Sequence, residues 1–140
     1  MIGSHWIKSW SKSQSTIALS SAESELYACI KASCEGLGMI SMMNDFGVTM
    51  KGEIRSDASA ALGIIARNGL GKMRHLDTSY LWIQEVSAEK KLIYDKVDGK
   101  ENIADMMTKY IAKELSEDLS NRMSIEFREG RHQKAPILRD

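Results

Sequence analysis

At 140 residues the chain is long enough for one domain with a real core, and 43% hydrophobic with 27% charged residues is an ordinary globular composition. Nineteen Lys and Arg balance nineteen Asp and Glu, so the formal net charge is zero; nothing at the level of the whole chain attracts nucleic acid, and any basic footprint has to be local. No apolar run approaches the ~18 residues of a membrane span, and the N-terminus lacks a signal-peptide pattern, so the expected location is intracellular, in cytoplasm or nucleus. Cys29 and Cys34 lack metal-ligand spacing and read as small buried or half-buried thiols in a reducing compartment.

Taken in order, His5 to Trp10 alternates like a strand, although its two faces are not cleanly apolar and polar. A polar turn over Ser11–Ser15 leads to a second extended run, Thr16 to Leu19. Ser20 and Glu23 then have capping-box spacing, in which Ser20 accepts an N–H of the first turn and Glu23 reaches back to the Ser20 N–H. Apolar residues at Leu26, Ile30, Leu37, Ile40 and Met43 predict a helix from about Ala22 to Phe46, ended by Gly47. Gly52–Ser56 reads as a short strand, and Ala58–Arg67 as a helix with Leu62, Ile65 and Ala66 on one side. Asn68-Gly69-Leu70-Gly71 breaks it. Leu76, Tyr80 and Ile83 have helical spacing over 77–86, and Leu92–Val97 is a strand. Asn102 is placed to cap a helix carrying Ile103, Met107 and Ile111. A polar helix follows over Lys113–Met123, then a loose tail around Gly130–Pro136. Strand, helix, strand, helix, helix, strand, helix is an α/β order with some parallel pairing.

Three acids stand out. Glu25 lies in the first turn of the long helix, beside its apolar face. Asp57 follows a strand and precedes a helix, the edge at which open α/β sheets bind ligands. Asp105 opens a later helix. Each has an ordinary alternative reading, as a cap, an Asx turn or a partner of the helix dipole. Converging from separate elements, they would supply the oxygen ligands that hard cations such as Mg²⁺ require.

The blocks around these acids resemble the ribonuclease H domain of retroelement polyproteins, most closely the copia type. Trp10-Ser11-Lys12, Gln14 and Ala18-Leu19-Ser20-Ser21-Ala22-Glu23-Ser24-Glu25 match its first block. Ser56-Asp57-Ala58-Ser59-Ala60-Ala61 matches its second acidic block. Arg74-His75-Leu76-Asp77 resembles its Lys-His-Ile-Asp helix, and Asn102-Ile103-Ala104-Asp105-Met106-Met107-Thr108-Lys109 its last block. The resemblance covers about residues 5–112, with 113–140 left as a helical extension and tail.

It implies a ribonuclease H-like mixed sheet flanked by helices, and cleavage of the RNA strand of RNA–DNA hybrids with two divalent cations, Mg²⁺ or Mn²⁺, that activate water and stabilise the leaving oxygen. By matching positions, Glu25, Asp57 and Asp105 are the implied metal ligands and catalytic acids. Lys12, Ser21, Lys72, Arg74 and His75 are candidates to touch the nucleic acid. The family carries a further metal-bridging Asp on a first strand, upstream of the matched blocks, whereas residues 1–22 contain no Asp or Glu. The chain is therefore expected to lack the first strands of the family, to hydrolyse at or near background alone, and to be marginally stable, self-associating or dependent on another segment: the rest of a Pol polyprotein or a second copy. A virus-like particle is the implied setting if the parent element is active. Two other readings stand beside this one: a non-catalytic nucleic-acid or protein binding module of the same fold, and an unrelated α/β domain whose acids are caps.

Overall fold

A computed structural model describes residues 1–14, 17–71, 77–126 and 130. They belong to two compact units, Lys12–Asn102 and Met1–Ser11 with Ile103–Asp140.

The larger unit is built on α1 (Ser21–Asp45). Ser20 caps it as its sequence predicts, its hydroxyl accepting the Glu23 N–H at 3.2 Å. Glu23 does not close the expected box: its Oε2 accepts the Leu19 N–H at 2.8 Å, one residue further out than Ser20. At the other end, Gly47 is left-handed (φ 75°), its N–H bonds the Asn44 carbonyl and the Val48 N–H bonds that of Met43, the paired bonds of a Schellman stop. Leu26 and Ile30 are buried, whereas Leu37, Ile40 and Met43 are half-buried, so the amino-terminal half of the helix makes the core.

Two strands, β1 (Gly52–Ser56) and β2 (Leu92–Lys96), pair in parallel, with Gly52 opposite Leu92 and Ser56 opposite Lys96. Parallel pairing requires a crossover, and α2 (Ser59–Ile65), a 3₁₀ turn (Thr78–Leu81) and α3 (Trp82–Ala88) supply it. Side chains alternate along each strand. Leu92 and Tyr94 turn toward α1: Tyr94 shares a 2.9 Å hydrogen bond with buried Ser33 of α1, and a side chain at Gly36 would touch Ile54 and Leu92. Glu53, Arg55, Ile93 and Asp95 alternate with these residues and are exposed. The core is Leu26, Cys29, Ile30, Ala61, Ile64, Ile65 and Ile83, edged by Tyr27, Tyr80 and Trp82.

Gly52 is dictated by this packing. A Cβ there would lie 2.3 Å from Leu92 Cδ2 and 2.9 Å from Ile40 Cδ1. Gly52→Ala is expected to destabilise the chain by about 1–2 kcal/mol through overpacking, read as a lower urea midpoint. The opposite case is Lys90, which takes the left-handed position (φ 55°) after α3, with its own N–H on Ser87 and that of Lys91 on Val86. Lys90→Gly relieves the Cβ crowding of that conformation and is expected to stabilise by about 0.5–1 kcal/mol, read as a raised midpoint.

In the smaller unit, Ile2 and His5 form an isolated antiparallel bridge, and α4 (Lys113–Arg122) packs with a 3₁₀ segment (Ile103–Met107). Leu119, Ser120 and Met123 are its buried residues.

Several expectations are corrected. The strand over His5–Trp10 is absent: beyond the bridge this stretch has no regular structure, because among the described residues no strand pairs with its backbone. Of the run Thr16–Leu19, Thr16 lies outside the described residues, and Ile17 and Ala18 are not in a strand. The mixed sheet is, among the described residues, a two-stranded parallel one flanked by helices. The helix over 77–86 is a 3₁₀ turn followed by α3, and the helix capped by Asn102 is the 3₁₀ segment alone. On α2 the buried residues are Ala61, Ile64 and Ile65 rather than Leu62, Ile65 and Ala66. Cys29 is buried as expected, but Cys34 is exposed. Among the described residues no helix is long and apolar enough to cross a membrane.

Candidate active site at the carboxyl end of the sheet

Asp57 follows the last residue of β1, at the carboxyl edge of the parallel pair. It does not cap α2, whose N-cap residue is Ala58, with no side-chain capping bond. The Ala58 N–H is taken instead by the Ser56 hydroxyl at 3.1 Å. The half-buried Asp57 carboxylate faces the loop that leaves β2. Asn102 Nδ2 donates to its Oδ1 at 3.3 Å, and its Oδ2 would lie 3.5 Å from a Cβ at Gly99. That loop is folded by Asp98, whose Oδ1 accepts the Lys100 N–H at 2.9 Å, and is joined to β1 by the Val97 N–H on the Ser56 carbonyl. Lys96, the last residue of β2, donates from Nζ to Ser59 Oγ at the start of α2. Asp57 thus points into a polar edge made by both strand ends.

Glu25 is exposed and stands at the beginning of the second turn of α1, one turn later than its sequence suggests. It lies one turn before Cys29 on the same helix. Burial pushes the Cys29 thiol up, a hydrogen bond with Ser56 draws it down, and the Glu25 carboxylate pushes it up again. Glu25 and Ser56 thus both act on Cys29, and Asp57 follows Ser56 in the chain. Asp105 sits in the 3₁₀ segment of the smaller unit, and its Oδ2 accepts Lys109 Nζ at 2.8 Å, one helical turn along.

Glu23 is set apart from these acids. It is 3% exposed, and besides the Leu19 N–H it accepts the Tyr27 hydroxyl at 2.6 Å. That bond, with burial and the Glu23 charge, pushes Tyr27 from the ordinary 10 up to about 12. Tyr27 meets Tyr80 edge-on with ring centroids 5.0 Å apart. Gln14 secures the same approach, its Nε2 donating to the Ser24 carbonyl and hydroxyl at 2.8 and 2.9 Å.

Of the residues proposed to touch nucleic acid, Lys12 and Ser21 are exposed. Lys72, Arg74 and His75 lie outside the described residues. Asn102 and Lys96 were missed by sequence reasoning. Asn102 was legible only as a cap, although its place three residues before Asp105 in one block was a usable signal. Lys96 carried no signal beyond a charged strand end.

The three acids are oxygen donors of the kind a hard divalent cation takes. Among the described residues, however, no group of three or more His, Cys, Asp or Glu could hold a metal ion. The assembly is thus an α/β domain with a small parallel sheet and a carboxylate at the carboxyl edge of that sheet. The chain is distantly homologous to a copia-type retrotransposon Pol polyprotein. It is 29% identical over 109 residues to the retrovirus-related Pol polyprotein from transposon TNT 1-94 of Nicotiana tabacum, a match that spans 75% of this chain and 8% of that polyprotein. No family model and no solved structure matches the chain.

Proposed function

We propose that residues 5–112 are part of a copia-type ribonuclease H domain, which in complete form cleaves the RNA strand of RNA–DNA hybrids, and that this chain by itself hydrolyses at or near background. The observation that carries the reading is the match to a transposon Pol polyprotein over three-quarters of the chain. The placement of Asp57 supports it, since this acid is held at the ligand-binding edge of the sheet and is not used as a cap. Glu25, Asp57 and Asp105 are the acids assigned to Mg²⁺ or Mn²⁺ in the complete domain. Lys12, Ser21, Lys72, Arg74 and His75 are assigned to the hybrid. Among the described residues no group of three or more His, Cys, Asp or Glu could hold a metal ion, and no hydrolytic step is assigned to this chain alone.

The test is cleavage of a labelled RNA–DNA hybrid with Mg²⁺ and then Mn²⁺. This chain is compared with one extended upstream by a family-like first hairpin that carries a further Asp. The extended chain is expected to cut and its Asp57→Asn variant to lose at least a hundredfold in rate, while this chain stays at background. If neither chain cuts, the ribonuclease assignment fails. Cleavage by this chain unaided means that another group replaces the fourth acid. A second reading is a non-catalytic module that grips a hybrid. It predicts hybrid binding that weakens with salt, without cleavage by either chain.

A further inference from the structure

The loop Asn68-Gly69-Leu70-Gly71 follows α2 and takes no part in the acid site. Of the chain's asparagines, Asn68 alone precedes a glycine. Asn68 and Gly69 are both exposed, so water reaches them. A Cβ on Gly69 would meet nothing within 4 Å, so no neighbour crowds this peptide. Against that openness, both backbone polar groups of Gly69 are held by one side chain of α3. Gln84 Oε1 accepts the Gly69 N–H at 2.8 Å, and Gln84 Nε2 donates to the Gly69 carbonyl at 3.1 Å. The same Nε2 donates to the Ile64 carbonyl at 2.8 Å, and Gln84 is buried, which anchors the carboxamide. An exposed Asn-Gly peptide is thus clamped at the nitrogen that its chemistry would use.

We propose that Asn68 is a site of spontaneous deamidation and that Gln84 is its lock. In this reaction the Gly69 nitrogen gives its proton to a solvent base and attacks Asn68 Cγ. The new N–Cγ bond closes a five-membered succinimide. The bond from Cγ to the side-chain amide nitrogen breaks, and that nitrogen takes a proton from water and leaves as ammonia. Water then opens the ring at either carbonyl, giving aspartate or isoaspartate. The only co-reactant is water. Glycine is the most permissive residue at the attacking position, because no side chain shields its nitrogen. The nitrogen must first lose its proton, and an N–H held by Gln84 gives it up only when the loop opens. The native rate is therefore that of the open loop multiplied by the fraction of time the loop is open, and one hydrogen bond of ordinary strength lowers it by about tenfold. The product adds a carboxylate and, in the isoaspartyl form, an extra backbone methylene between α2 and the clamped glycine. The site is independent of the ribonuclease reading, because none of its residues belongs to the acid site.

The experiment ages the full chain at physiological temperature and mildly alkaline pH, and follows amide-to-acid conversion at Asn68 by peptide mapping and mass spectrometry. Conversion in the native chain is expected to be about tenfold slower, or more, than in the same chain unfolded in guanidinium chloride. Gln84→Ala should speed the native reaction by about tenfold. Gln84→Glu separates the lock from general loosening: it loses the donor to Ile64 but keeps an acceptor for the Gly69 N–H, so Asn68 should convert at close to the wild-type rate. A measurement on the wild type stands apart from the variants: hydrogen exchange at the Gly69 amide should be slowed by about tenfold or more, although the residue is exposed. Equal conversion in native and unfolded chain, no conversion in either, an unprotected Gly69 amide, or equal acceleration by Gln84→Ala and Gln84→Glu overturns the proposal.

Discussion

Gln84→Ala is expected to lower stability by about 2–3 kcal/mol, among the largest effects of any polar substitution in this chain. Gln84 is 7% exposed on α3, and its carboxamide does the work of a strand neighbour for the loop after α2. Nε2 donates to the Ile64 carbonyl at 2.8 Å and to that of Gly69 at 3.1 Å, while Oε1 accepts the Gly69 N–H at 2.8 Å. Truncation leaves the buried Ile64 carbonyl without this partner and releases the loop at Gly69. Urea unfolding followed by far-ultraviolet circular dichroism measures the loss. Gln84→Glu is the informative companion: it retains the acceptor for Gly69 but removes the donor and adds a buried charge, so it should be no better than alanine. If both variants unfold at the wild-type midpoint, the loop is held by other contacts.

Glu23→Ala should cost about 2 kcal/mol. Its carboxylate holds the chain entering α1 through the Leu19 N–H and holds Tyr27 through the phenol. Removing it releases both donors at once, in a position that is 3% exposed. The same contact sets a pH dependence. The folded chain keeps the Tyr27 phenol protonated to about 12, whereas the unfolded chain gives up that proton near 10. Between these values the unfolded state binds fewer protons, so stability falls as pH rises. The contribution of Tyr27 is complete below pH 10 and lost as pH passes about 12. Unfolding measured from pH 9 to pH 12 should show this decline in the wild type and a shallower one in Tyr27→Phe. Equal slopes would mean that Tyr27 is not the group responsible.

How much of this was legible beforehand depends on the range over which each feature is decided. The start and stop of α1 were readable to within one residue, because Ser20 and Gly47 act on backbone groups beside them. β1 and α4 were readable for a similar reason: their patterns are short and bounded. The alternation of His5–Trp10 was also genuine, but a strand exists only when a neighbour takes its hydrogen bonds, and no residue inside the run reports whether that neighbour is present. Asn102 shows the same limit at the level of one side chain. Its local signal was that of a cap, and the fold directs its amide to Asp57, far along the chain.

The sequence by itself determined the α/β class and, to within one residue, the boundaries of the long helix. These follow from local chemistry and residue order. Only the tertiary structure decided that Asp57 is an edge carboxylate held by Asn102 rather than a cap, and that Glu23 is buried with Tyr27 while Glu25 is exposed. It also decided that a side chain at Gly52 would crowd Leu92 and Ile40 and that Gln84 pins a loop. Each of these depends on which residues distant in sequence become neighbours. The core makes that choice, when Leu26, Ile64 and Ile83 leave water together.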